Sequence, residues 1–188
     1  MPKRRKQDTT SSESSDDEVI KFYSKDEPYY EFSNFYLADI EYKGKIYPSS
    51  EHLYQALKFL GPKASKRSKE YAREIRKVNT PNKARILANQ KTGGGYQWRT
   101  DLNPIIEEYQ DVKMRKDWDD IRDDIMRKVI LYKFEQNRKL RKLLLSTGDA
   151  VIQENSPRDY YWGIGKDGSG ENMLGIILME TRDILRNV

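Results

Sequence analysis

The chain has 188 residues, 35 Lys and Arg against 30 Asp and Glu, and a net charge of +5, with 36% hydrophobic residues. It contains no cysteine and one histidine, which excludes a disulfide framework, a cysteine nucleophile and an ordinary Cys/His zinc site. The length suits one domain. No apolar run approaches the roughly 20 residues of a membrane span and no signal-peptide core is present, so a cytoplasmic protein is expected, with its chemistry left to carboxylates, amines, hydroxyls and aromatic rings.

Residues 1–18 read as a disordered charged tail. Lys3, Arg4, Arg5 and Lys6 form a basic cluster, followed by Ser11, Ser12, Ser14 and Ser15 among acids that end in Asp16, Asp17 and Glu18. No apolar side chain lies between Pro2 and Val19 to offset the entropy of ordering. The basic cluster is a candidate nuclear address or nucleic-acid contact; a solvated terminus is the plainer alternative. The folded body is expected over 19–188. Val19–Tyr23 has strand character, Phe32–Phe35 is an aromatic packing element, and Ala38–Tyr42 with Lys45–Tyr47 forms a hairpin through Lys43-Gly44. Ser49 or Ser50 caps a helix over 51–60 that Gly61-Pro62 stops. Further helices are predicted near Ser65–Val78 and from Pro81 to before Gly93-Gly94-Gly95, and that triplet with Trp98–Asn103 reads as a long loop. Asp117 caps the strongest helix, where Trp118, Ile121, Ile125, Val129 and Tyr132 recur at three-to-four spacing, widened by Met126 and Ile130. A helix over Asn137–Leu145, a strand over Ala150–Gln153, a glycine-rich aromatic loop over Tyr160–Gly170 and a helix over Met173–Leu185 complete the chain. The fold class is α+β, mainly α: a single helical domain with a small β-sheet or hairpin. Helices and strands do not alternate regularly, which argues against a doubly wound sheet.

Three places carry chemistry. Gly163, Gly165 and Gly168 fit the G-x-G-x-x-G spacing, but a dinucleotide fingerprint needs a following strand and an acid about 20 positions on. Only 20 residues follow Gly168, and they read as helix. What survives is a loop whose N–H groups near a helix start favour phosphate, or else an ordinary turn. On the helix over 51–60, Glu51, Gln55 and Lys58 share one face, and Leu53, Ala56, Leu57 and Leu60 the other. Such a polar row is usually a solvated surface, yet Tyr54 and Phe59 flank it as they would flank a sugar or nucleotide. His52 is expected to be packed or hydrogen-bonded, with no metal. Glu154 to Trp162 holds the residue types of glycosidic cleavage: carboxyls to move protons or stabilise a cationic sugar, and rings on which a base stacks. A structural loop around a buried Trp is the alternative. Seven basic residues between Lys63 and Lys77 oppose only Glu70 and Glu74, which favours a phosphate-rich partner or simply an exposed helix.

Ordered motifs over about residues 19–186 resemble the NADAR superfamily of YbiA-like N-glycosidases. Glu31-Phe32-Ser33-Asn34-Phe35-Tyr36 resembles its F-S-N-F element, and Glu51-His52-Leu53-Tyr54-Gln55-Ala56 with Lys58-Phe59 its E-H-x-Y-Q-x-x-K-F helix. Arg115, Asp117 and Trp118 resemble its R-x-D-W start. Lys133-Phe134, Gln136-Asn137, Leu143-Leu144 and Thr147-Gly148-Asp149 resemble its next block. Glu154, Asp159, Trp162-Gly163, Gly165, Gly170, Asn172, Leu174-Gly175, Leu178-Met179 and Arg182 resemble its C-terminal signature. The resemblance implies an N-glycosidase acting on a phosphorylated ribosyl-base, a ribosylamino-pyrimidine phosphate of riboflavin synthesis, or on ADP-ribose attached to guanine. It places catalysis at Glu51, Lys58 and Asp159. Substrate binding falls to Asn34, Phe35, Gln55, Trp118, Trp162, Gly163, Gly165, Asn172 and Arg182. It calls for no cofactor or metal and no membrane, names nucleic acid as a candidate partner, and leaves the oligomeric state open. A non-catalytic ADP-ribose reader is the alternative function. The stretch 89–112 is longer than the family pattern leads one to expect and reads as a surface insertion.

Overall fold

The computed structural model describes residues 18–89 and 101–188. Of the expected tail only Glu18 falls among them, and its carbonyl accepts from Val151 N at 2.8 Å. The Gly93–Gly95 triplet and Trp98 lie outside the described residues. Strand β1 (Val19–Phe22) pairs in parallel with β4 (Val151–Glu154), Phe22 opposite Glu154. Strands β2 (Leu37–Tyr42) and β3 (Lys45–Ser49) form the hairpin as a separate antiparallel sheet. The expected small sheet is thus two two-stranded pieces. Seven helices surround them among the described residues: α1 (Ser50–Leu57), α2 (Lys66–Lys77), α3 (Pro81–Asn89), α4 (Asn103–Glu108), α5 (Trp118–Gln136), α6 (Arg138–Ser146) and α7 (Met173–Arg186). None is long and apolar enough to cross a membrane. Helix α4 lies inside the segment read as an insertion and begins with Pro at its first turn, a position that tolerates the missing N–H.

Helix α1 follows β3 without a connecting loop. Ser49 ends the strand and caps the helix, its hydroxyl accepting from His52 N. All eight residues of α1 are buried, because α2, α3 and α5 pack around it. The helix stops three residues before the expected Leu60. There the chain tightens into i→i+3 bonds, Phe59 N to Ala56 O and Leu60 N to Leu57 O. Arg115 closes this end: its N–H donates to Lys58 O at 2.9 Å and its guanidinium to Leu60 O at 3.0 Å. His52 is a packing residue, with Nε2 3.0 Å from Val78 O and Nδ1 2.8 Å from Ser49 Oγ. Phe32, in a 310 turn over Tyr30–Phe32, joins the halves of the core through edge contacts with Phe22 and Phe134 at 5.8 and 6.0 Å.

The predicted α5 stripe is buried at Trp118, Met126, Val129 and Ile130, but its other positions are shallower and the buried side extends further. Ile121, Ile125 and Tyr132 are half-buried, whereas Met126, Ile130, Lys133 and Phe134 are buried. The cause is that α5 packs on α1, α6, α7 and β2, so its buried side is wider than one apolar stripe. The buried ammonium of Lys133 donates to Ser33 O at 2.8 Å, and burial brings its pKa down to about 7 against the pull of Glu31.

The loop between β4 and α7 is folded onto β4. Ile164 N donates to Glu154 O at 2.9 Å and Gly165 N to Asp159 O at 3.1 Å, so these amides point inward and form no open phosphate cradle. At Gly163 a Cβ would lie 2.8 Å from Glu154 O and 3.0 Å from Asp159 O, and at Gly165 (φ +70°) it would enter the Tyr160 ring. Asn172 holds a left-handed conformation (φ 55°) from which its side chain donates to Ile152 O at 2.8 Å and accepts from Glu154 N at 3.0 Å. Arg182, buried in α7, donates to Ala150 O at 2.8 Å and Thr147 Oγ1 at 2.9 Å, fixing the chain just before β4.

Two outcomes follow for urea or thermal unfolding. Phe32→Ala should cost about 3–5 kcal/mol, the range for emptying a buried aromatic site. Gly163→Ala should cost about 1–3 kcal/mol, because the methyl must push backbone apart; a cost no larger than that of an ordinary surface substitution would show the loop is looser than described.

Candidate active site

A cavity of about 570 Å³ opens where α1, α3, α5, the end of β4 and the loop after it converge, within the size range of small-molecule sites, about 300–1,000 Å³. The polar row of α1 faces it. Glu51 (5% exposed) and Gln55 (4% exposed) are therefore not on a solvated face. Gln55 Nε2 donates to Glu51 Oε1 at 2.8 Å. Burial raises the Glu51 carboxyl above its ordinary range, the Gln55 hydrogen bond and the charges of Lys58 and Arg85 oppose that, and Asp159 adds to it.

Lys58 stands at the C-cap of α1. Its Nζ donates to Asn89 Oδ1 at 2.8 Å and lies 5.9 and 5.8 Å from the ring centres of Tyr54 and Trp118. Burial lowers its pKa from the usual lysine range, with Glu51 pulling the other way. Tyr54 meets Trp118 edge-on at 5.0 Å and Trp162 at 5.8 Å, so three rings form one wall. The Asp159 carboxyl is held by its own loop: Oδ1 accepts from Tyr161 N at 3.0 Å and Trp162 N at 2.8 Å. Glu154 lines the same cavity, and burial, then Asp159 and Glu51, push its carboxyl up to about 8.

Three buried oxygens of cavity residues have no partner among the described residues: Asn34 Oδ1, Gln55 Oε1 and Glu154 Oε2. Each such atom costs about 1–3 kcal/mol of stability, a cost borne where a ligand would be met. Asn34 itself is fixed by its backbone, since its carbonyl accepts from Glu51 N at 3.0 Å and the preceding Ser33 O holds the Lys133 ammonium.

Eight of the residues singled out from sequence line this cavity together: Asn34, Phe35, Glu51, Gln55, Lys58, Trp118, Asp159 and Trp162. Gly163, Gly165, Asn172 and Arg182 do not line it. They hold the loop and strand from which Glu154 and Asp159 project, and so support that wall of the cavity. Sequence reasoning passed over Arg85, Asn89 and Arg122, and it quoted Glu154 without choosing it. Arg122 is one turn beyond Trp118 on α5, a spacing that puts both on one face; for Arg85 no local pattern pointed inward. The Arg85 guanidinium lies 5.6 Å from the Phe35 ring centre and that of Arg122 4.1 Å from Tyr161. Both line the cavity and provide fixed positive charge suited to phosphate.

The chain is similar to known proteins over most of its length. The chain is 38% identical over 169 residues to N-glycosidase YbiA of Escherichia coli (strain K12), covering 90% of this chain and 89% of that one. It is 34% identical to N-glycosidase Npun_R5314 of Nostoc punctiforme, covering 90% and 94%. A riboflavin biosynthesis protein of Vibrio vulnificus, VVA0006, is 35% identical over 90% of this chain but only 39% of its own length. The NMR structure of E. coli YbiA superposes with a TM-score of 0.69 at 37% identity, covering 91% of this chain and 86% of that one. The NADAR domain model matches residues 21–186, and the chain belongs to the NADAR domain family.

Proposed function

We propose that this chain, a glycosidase by family, hydrolyses the bond between C1′ of a ribose and the nitrogen of a base, and that its substrate is a ribosylamino-pyrimidine phosphate. The observation that carries the reading is the half-buried amine of Lys58, set in one cavity with Glu51 and Asp159 and walled by Tyr54, Trp118 and Trp162. The rings offer a stacking surface for a base, and Arg85 and Arg122 offer partners for phosphate. The name of the Vibrio relative supports the pyrimidine substrate. ADP-ribose on guanine is the second reading: two guanidiniums on one cavity suit a diphosphate, and α2 carries a basic surface. Three ionisable carboxyls in the cavity argue against a ligand reader, which has no protons to move.

In the proposed reaction the Lys58 lone pair forms a bond to C1′. The C1′–N bond breaks, its electron pair leaves on the base nitrogen, and that nitrogen takes a proton. Lys58 gives a proton to Glu51 or Asp159. The ribose ring then opens, its oxygen gains a proton and C1′ becomes an imine of Lys58. Water adds to the imine and frees the sugar and the amine. A free lysine, with a pKa of about 10.4, is a poor nucleophile at neutral pH; desolvation against Tyr54 and Trp118 favours the neutral amine the step requires.

The test runs a ribosylaminouracil phosphate and an ADP-ribosylated guanosine oligonucleotide in parallel, with products read by mass spectrometry. Turnover of the first is expected, with Glu51→Ala and Asp159→Ala lowering kcat by about 10²–10⁴-fold; turnover of the second alone would exchange the two readings, and turnover of neither with tight ADP-ribose binding would leave a reader. Borohydride added during turnover should fix sugar to Lys58. An untrapped but active enzyme, or an active Lys58→Ala, would replace the amine with direct attack by water.

A further inference from the structure

Three carboxyls line the cavity, and their surroundings differ. Glu51 has a donor in Gln55 and feels the cations Lys58 and Arg85. Asp159 accepts two backbone amides. Glu154 has neither: among the described residues no donor reaches its Oε2, and the charges that act on it are the carboxylates of Asp159 and Glu51. Lys25 and Arg122 also line the cavity, and burial raises the hydroxyls of Tyr30 and Tyr54 there above the ordinary tyrosine range. Glu154 is also held at its backbone on both sides. Its N–H is held by Asn172 Oδ1 and its carbonyl by Ile164 N, Asn155 N beyond it is held by Phe22 O, and Gly163 leaves room for that carbonyl.

Resting on the N-glycosidase reading, we propose that Glu154 is the proton donor of the reaction, the group that protonates the departing base as its bond to C1′ breaks. A carboxyl on which no donor or cation among the described residues acts, beside two carboxylates, is held in its neutral form, and that is the form able to donate; its position up to about 8 agrees. The balance is complete. The C1′–N electron pair remains on the base nitrogen, the Glu154 proton joins it, and the carboxylate left behind takes back a proton from the water that later releases the sugar. Asn172 and Gly163 are positioning residues for this donor.

The experiment compares wild type with Glu154→Gln on the ribosylaminouracil phosphate across pH. Wild-type kcat should fall as pH rises through about 8. In Glu154→Gln, kcat should drop about 10²–10⁴-fold, KM should stay within a few-fold, and the alkaline fall should vanish. Carbon-13 carboxyl titration of the full chain, which needs no substrate, should show the resonance lost in Glu154→Gln changing near pH 8. Thermal melting checks the fold and the sign. The unfolded carboxyl ionises near its ordinary 4.5 and the folded one near about 8, so stability falls as pH rises between them. Glu154→Gln should therefore melt higher than wild type above about pH 8, by more than any difference below about pH 5. A Glu154→Gln enzyme that keeps both kcat and the alkaline fall, or a carboxyl titrating near 4.5, overturns the proposal while leaving the glycosidase reading intact. A wild type that cleaves no riboside overturns the glycosidase reading, and the donor role falls with it.

Discussion

An eight-residue helix with no face to water has to satisfy its polar side chains with protein or with ligand. Helix α1 is in that position. Its apolar side, Leu53, Ala56 and Leu57, meets the core, and its other side carries Glu51 and Gln55 into a cavity instead of into solvent. Burial raises the carboxyl, lowers the neighbouring amine and makes each charge dependent on the others. The surrounding fold serves this helix. Strand β3 delivers it already capped, Arg115 fixes its far end at Lys58, and α3 and α5 bring Asn89 and Trp118 to the amine.

The second wall is built differently. Glu154 stands at the end of a strand and Asp159 in a loop, and loops place side chains less firmly than helices do. Here the backbone compensates. The amides of Ile164 and Gly165 and the side chain of Asn172 turn back onto residues 152–159, and Arg182 anchors the chain ahead of β4. The glycines matter because backbone approaches backbone at Gly163 and a ring covers Gly165. A spacing that resembles a phosphate fingerprint is thus a packing device.

Much of this was readable in the sequence. The order of elements apart from α4, the hairpin turn, a cap at Ser49 or Ser50 and the grouping of Glu51, Gln55 and Lys58 all follow from local periodicity and capping chemistry. Depth does not. Periodicity says which residues share a face, not whether that face meets water, so spacing alone favoured a solvated surface over a site. Trp118 shows the same limit: its spacing marks a core residue, and at 4% exposure it is one, while its ring also borders the cavity. Lys133 was unreadable as a buried group because a charge interrupts any apolar stripe, and only the tertiary contact with Ser33 O explains it. Arg85 reached the site through the packing of α3 on α1, which no local pattern encodes. The ordered motifs supplied what spacing lacked, since they joined segments far apart in sequence.

The unpartnered atoms set the balance between stability and chemistry. Asn34 Oδ1, Gln55 Oε1 and Glu154 Oε2 lie in one region, and a chain selected for stability alone would have paired them or replaced them with apolar groups. They persist on the elements that are best fixed: Asn34 between Lys133 and Glu51, Gln55 inside a buried helix, and Glu154 at a strand end tied by Asn172. Rigid supports keep these groups from relaxing toward each other, so their hydrogen-bonding capacity stays directed at the site. For a carboxyl that must keep a proton beside two others, that rigidity matters as much as burial, because a small shift toward Lys58 or Arg85 would supply the countercharge that ionises it.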